Sequence, residues 1–197
     1  MTFAQQDGPN ATPESITREP LHSRRIDFCG FRRSDGLFEI EGQLTDRKSH
    51  DFTPPSSTRT VPAHDPIHDM GVRVVFDFDM VVRQVSTFIH AYPYRECPGG
   101  GESLQALVGL RIGAGWSNEV RKRLPPGETC THLRELMLTL ATAALQAVNS
   151  LRAPLQLDAT DASGKPLKVD SCYAYGASRE LVLQRWPAFH QPSRMKK

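Results

Sequence analysis

Cys97, Cys130, His68 and His132 are the residues of this chain whose types and settings could do chemistry. Cys130 and His132 lie in Thr129-Cys-Thr-His-Leu133, where an amphipathic helical pattern begins. The N-terminus of a helix carries partial positive charge, which favours a thiolate over a thiol. A thiolate attacks electrophiles or binds a soft metal, so Cys130 and His132 are the candidate catalytic pair. Cysteine and histidine together also suit zinc, or iron in some settings. His68, Cys97, Cys130 and His132 are therefore candidate metal ligands. Adjacent helical positions point about 100° apart, so Cys130 and His132 share one ion only if Cys130 lies in the non-helical cap.

Each residue also has a plainer reading. A single cysteine is commonly a small buried residue, and His68 could equally bond a backbone carbonyl. Asp46, in Leu44-Thr-Asp-Arg-Lys48, reads first as a turn residue. It could also pair with Arg47 or Lys48, or orient an imidazole beyond the ligands. Asp69 is a second candidate for that orienting role. Cys29 reads as strand packing, and Asp77 and Asp79 as solvation of a hairpin end. No nucleophile elbow, phosphate loop, dinucleotide fingerprint or His-Glu-x-x-His is present, and no Cys-x-x-Cys pair.

The elements that must position these residues follow from periodicity. Arg25–Arg33 and Leu37–Asp46 read as two strands joined by the turn dipeptide Asp35-Gly36. Phe38, Ile40 and Leu44 share one face. Residues 47–66, with four prolines, read as a long loop. Gly71–Asp77 and about Val82–Ala91 make a second hairpin, with Val72, Val74 and Phe76 on one face and His68 ahead of the first strand. A helix with Leu104, Leu107, Val108 and Ile112 on one stripe is expected, then a short helix capped by Ser117. The clearest helix spans Thr131–Leu151, with Leu133, Leu136, Met137, Leu140, Ala144, Val148 and Leu151 on one face. Residues 170–175 and 180–183 suggest a short hairpin.

The 197 residues include 24 basic and 22 acidic side chains, a net charge of +2, with 39% hydrophobic residues. That balance excludes wholesale disorder and a nucleic-acid binder driven by bulk charge. No apolar run approaches the roughly 18–20 residues of a membrane span, and the first residues lack a secretory pattern. The expectation is a cytoplasmic protein with its four cysteines reduced. Residues 1–22 read as a mobile arm, 23–190 as one α+β domain and 191–197 as a mobile tail. In that domain an antiparallel sheet of two hairpins packs against the long helix and shorter helices.

Two families are similar to this chain. Arg32-Arg-Ser-Asp-Gly-Leu-Phe-Glu-Ile-Glu-Gly-Gln-Leu-Thr-Asp-Arg-Lys48, His68-Asp-Met70, Cys130-Thr-His-Leu133, Asp170-Ser-Cys-Tyr-Ala-Tyr175 and Trp186-Pro187 resemble the bacterial domain of unknown function 2889 family over residues 23–188. That resemblance implies no activity and no catalytic residues. Over residues 67–150, Asp69 with Val72–Asp77, Glu96-Cys97 and Cys130–Glu135 are similar to iron–sulfur scaffold proteins of the IscU and SufU type. Here Ile67 or His68 replaces the first ligand cysteine and Thr129 replaces a histidine, leaving two thiolates. The second resemblance thus implies a mononuclear site of Cys97, Cys130, His132 or His68, with Cys172 as a possible extra ligand.

The leading functional expectation is a Cys/His site that binds zinc or iron, or supplies a reactive thiolate, in a small catabolic enzyme with a small-molecule substrate. Partners of nucleic-acid or membrane type are not expected. A non-enzymatic scaffold acting through residues 47–66 or the terminal arms is the alternative. A third reading is a cofactor-free pocket of Tyr92, Tyr94, Trp116 and His132.

Overall fold

A computed structural model describes residues 16–156 and 159–192. The mobile arm expected over 1–22 and the tail over 191–197 fall mainly outside them, at 1–15 and 193–197. The chain divides into a unit that ends at Ala141 and one that begins at Thr142.

In the first unit, β1 (His22–Arg32), β2 (Phe38–Lys48), β3 (Pro66–Phe76) and β4 (Val82–Ala91) form one antiparallel sheet in sequence order. Short turns join β1 to β2 and β3 to β4, and the long loop 49–65 joins β2 to β3. Gly36 adopts a left-handed φ of 84° in the first turn, a conformation that costs glycine no Cβ clash. Alternation then sorts the strands. Phe38, Ile40 and Leu44 of β2 and Val72, Val74 and Phe76 of β3 are all buried. The α+β class is as expected, with the sheet accompanied by the long helix α2 (Thr131–Gln156), whose part within the first unit packs on it. Its Leu133, Leu136, Met137 and Leu140 are buried with the strand residues. The short helix α1 (Trp116–Arg123) contributes buried Trp116, whose indole N–H donates to the Met137 carbonyl at 2.6 Å. Among the described residues no helix is long and apolar enough to cross a membrane.

Several local expectations are corrected. β3 starts at Pro66, so His68 lies inside a strand rather than before one. Asp46 is likewise a strand residue, not a turn residue, because β2 pairs with β1 as far as Lys48. Cys29 is exposed, since β1 is an edge strand with little packed against it. Residues Cys97–Leu107 form a 3₁₀ run in place of an α-helix, and Val108 is exposed. After Leu107 the chain turns back along β4, with Val82 N–H donating to Leu110 O at 2.8 Å, which ends the helical stripe. Gly115, not Ser117, precedes α1, and no side chain caps it.

In the second unit, Asp170–Tyr175 is a series of turns and Glu180–Arg185 is the short helix α3, not a hairpin. Cys172 belongs to this unit and is exposed. Leu151, expected on the buried stripe, is also exposed.

Candidate metal centre

The site is built on one row of the sheet. Register pairs Asp46 with Arg24 of β1 on one side and with His68 of β3 on the other. Residues opposite one another in a sheet share a face, so all three side chains point the way of the core residues Leu44 and Met70. Asp46 is only 3% exposed. A buried carboxylate must be paired and hydrogen-bonded, and this one is saturated. Arg24 grips it with two N–H donors, Nε to Oδ1 and Nη2 to Oδ2, each at 2.8 Å. His22, two residues earlier on the same face of β1, reaches Oδ1 at 3.1 Å. His68 Nδ1 reaches Oδ2 at 3.0 Å. Arg24 also donates to Glu135 on α2 at 2.6 Å, tying the sheet to the helix.

The start of α2 supplies the facing wall. Cys130 occupies the cap: its carbonyl accepts the first helical hydrogen bond, from Arg134 N–H at 2.9 Å. Its own N–H donates to Gly100 O at 2.9 Å. A Cβ on Gly100 would lie 2.7 Å from Cys130 N, so glycine is what lets the two backbones meet. Ser103 and Thr129 hydroxyls bond at 2.8 Å and fix the same junction. The Gly99-Gly100-Gly101 run therefore does more than break the chain.

With Cys130 in the cap, it and His132 converge as the geometric condition required. The Cys130 thiol is 3.9 Å from His132 Nδ1. The rings of His132 and His68 lie with centroids 3.9 Å apart, tilted by 37°. His132 Nε2 is 3.8 Å from Asp46 Oδ2. Donor atoms of Asp46, His68 and His132 all fall within 4.8 Å of one another, a group that could hold a metal ion.

The charge states follow from burial and neighbours. Burial opposes the ionised form of Asp46, but the Arg24 hydrogen bonds and charge outweigh it, and its pKa is lowered. Burial pushes both His68 and His132 down; it prevails over the attraction of Asp46, and the charge of Arg24 adds to it. Both imidazoles are therefore neutral at pH 7, the form with a lone pair to give a metal. An ionised Asp46 can only accept, so His68 carries its proton on Nδ1 and keeps the Nε2 lone pair free. Because Arg24 occupies both oxygens, Asp46 is better suited to orienting His68 than to ligating an ion directly.

His68, Cys97, Cys130 and His132 all line one cavity of about 590 Å³. Tyr94, Gly99, Gly100 and Thr129 complete much of its wall. Tyr94 thus joins His132 there, whereas Trp116 is buried at 2% exposure under α2 and does not belong to such a pocket. Asp69 sits on the opposite face of β3, where its carboxylate accepts from Gln43 Nε2 at 2.6 Å, and so does not orient these imidazoles. Sequence reasoning missed His22, Arg24, Met70 and Glu135. One signal was present: Asp46 and His68 share the parity of the apolar residues of their strands, which predicts burial and hence a partner.

The chain belongs to the family described as Protein of unknown function (DUF2889), whose model matches residues 22–146. The match takes in the sheet, Cys97, Cys130 and His132, while the motifs at 170–175 and 186–187 lie outside it. No curated protein and no solved structure matches the chain, and the similarity to iron–sulfur scaffold proteins finds no support among the comparisons.

Proposed function

We propose that this member of the DUF2889 family is a small-molecule enzyme with a transition metal at the floor of its cavity. His68, His132 and Cys130 would hold the ion, with Cys97 in the same wall. The observation that carries the reading is the clustering of two neutral imidazoles, whose ring centroids lie 3.9 Å apart, with the Cys130 thiol 3.9 Å from His132 Nδ1. In a tetrahedral zinc site, bonds of about 2.0–2.1 Å to nitrogen and 2.3 Å to sulfur put a nitrogen and a sulfur donor roughly 3.6 Å apart, close to the separation of His132 Nδ1 and the Cys130 thiol. Asp46, bonded to His68 Nδ1, then acts as the carboxylate of a carboxylate–histidine–metal triad. The cavity is within the roughly 300–1,000 Å³ of small-molecule sites. Zinc and iron both accept this donor set, and when bound either would polarise a substrate oxygen or an attached water. Tyr94 and Gly99 would bound the substrate, and Gly100 would hold Cys130 in place.

Metal analysis of protein purified without a histidine tag tests this. The expected result is about one equivalent of metal per chain, lost in His68→Ala and in Cys130→Ser without loss of the fold. A wild-type protein that holds no metal and takes up none would overturn it. One observation favours a second reading. Cys130 Sγ, His132 and Asp46 stand in the order nucleophile, base and orienting carboxylate, at 3.9 and 3.8 Å. A metal-free protein with one fast-alkylating thiol, abolished by Cys130→Ser, would favour that reading.

A further inference from the structure

Met70 is fully buried beneath the candidate metal centre, and its thioether sulfur lies 3.7 Å from Cys130 Sγ. It shares a face of β3 with His68, two residues away, just as Cys130 and His132 stand two apart at the start of α2. Met70 Sδ thus touches Cys130 Sγ, which is in turn 3.9 Å from His132 Nδ1, and the His132 ring centroid lies 3.9 Å from that of His68. The geometry points to Met70 as a fourth donor, and to copper(I) as the ion this set of two imidazoles, a thiolate and a thioether selects. This rests on the metal reading of the cavity and narrows its metal from the zinc or iron suggested by cysteine and histidine alone.

The chemistry is one of softness. Zinc readily accepts imidazole and thiolate but gains little from a thioether, whereas thiolate and thioether together select copper(I). A thiol and a thioether at 3.7 Å are already within the spacing that two sulfurs on one ion require, since bonds of about 2.3 Å to sulfur allow separations up to roughly 4.6 Å. Met70 lies behind Cys130 rather than on the cavity wall. It would approach from the protein side and leave the cavity side to Cys97 or a substrate. Asp46 fixes His68 from the same sheet row, so three of the four donors are held by neighbouring backbone: His68 and Met70 by β3, and Cys130 by its bond to Gly100.

The test uses the full-length, untagged chain. Copper(I) is titrated anaerobically against a chromophoric copper(I) chelator, and zinc against a zinc indicator, for wild type and Met70→Leu. Leucine conserves volume and removes only the sulfur. Wild type should bind one copper(I) and prefer it to zinc. Met70→Leu should weaken copper(I) by about tenfold or more and leave zinc within about twofold. Copper X-ray absorption on the wild type, which needs no variant, should find two sulfur neighbours. Equal copper(I) affinities in the two proteins, or a single sulfur neighbour, would overturn the role of Met70 and return it to core packing. Zinc binding without copper(I) binding would overturn the copper assignment but leave the metal centre. Binding of neither ion would overturn the metal centre itself, and this inference with it.

Discussion

Replacing Asp46 with asparagine removes the charge at the middle of the Arg24–Asp46–His68 row and keeps the shape. Asp46 is 3% exposed and accepts four hydrogen bonds, two of them from Arg24 at 2.8 Å. A hydrogen bond to a charged group contributes about 1.5–3 kcal/mol. Each oxygen accepts two of these bonds, so an asparagine amide sets its NH2 against an arginine N–H and a histidine nitrogen that had faced an acceptor. Breaking a buried ion pair by removing one partner costs about 3–5 kcal/mol. The figure must be discounted here, because the Arg24 side chain is 33% exposed and keeps Glu135 at 2.6 Å. The expected loss at pH 7 is about 2–3 kcal/mol.

The pH dependence gives a second, independent reading of the same change. Burial works to raise the Asp46 pKa, Arg24 outweighs it, and the folded value lies below the ordinary 3.8. A carboxylate depressed in this way contributes its full stability above the unfolded pKa and loses it as pH falls through the folded one. The gap between wild type and Asp46→Asn should therefore close as pH falls below about 4. Urea unfolding of metal-free protein, followed by Trp116 emission in a Trp186→Phe background, measures it within the unit that holds Asp46. A gap under about 0.5 kcal/mol at pH 7, the size of an ordinary surface change, would refute the reasoning. So would a gap that persists undiminished at pH 3.

Leu136→Ala, at a fully buried position of α2, should cost about 2–5 kcal/mol in the same unfolding assay. Gly71→Ala should destabilise far more than Gly42→Ala. A Cβ on Gly71 would clash with the Gly42 carbonyl oxygen, which is backbone, whereas on Gly42 the near atoms all belong to the Phe28 ring. Comparable midpoints for the two variants would show that the sheet tolerates the closer approach. Trp116→Phe should cost about 1 kcal/mol through the lost bond to the Met137 carbonyl, read from the shift in denaturation midpoint.

The expected fold class rested on repeating patterns, which are local. Ten residues expected in the core from shared strand and helix faces are buried: Phe38, Ile40, Leu44, Val72, Val74, Phe76, Leu133, Leu136, Met137 and Leu140. Burial of an apolar face is a property of each segment by itself, so a period of two or 3.6 reveals it without knowledge of the partner. The same logic failed where packing overrode the pattern. Leu104 to Val108 looked helical by spacing, but the chain there follows β4 in a 3₁₀ run that leaves Val108 outside.

Local sequence also marked the chemistry-bearing residues. His68, Cys97, Cys130 and His132 were selected by type and by their places near element ends, and they line one cavity. Their meeting depends on contacts distant in the chain: Cys130 N–H on Gly100 O, and the pairing of Asp46 with His68. Arg24, His22 and Glu135 carried no signal of their own, because an arginine or a histidine on an edge strand resembles any surface residue. Only the register of three strands puts Arg24 on Asp46, and only the packing of α2 brings Glu135 to Arg24. Sequence alone determined which faces must be buried, since burial follows composition along each segment. Tertiary structure decided which polar groups are neighbours, since strand register and helix docking depend on the whole fold at once.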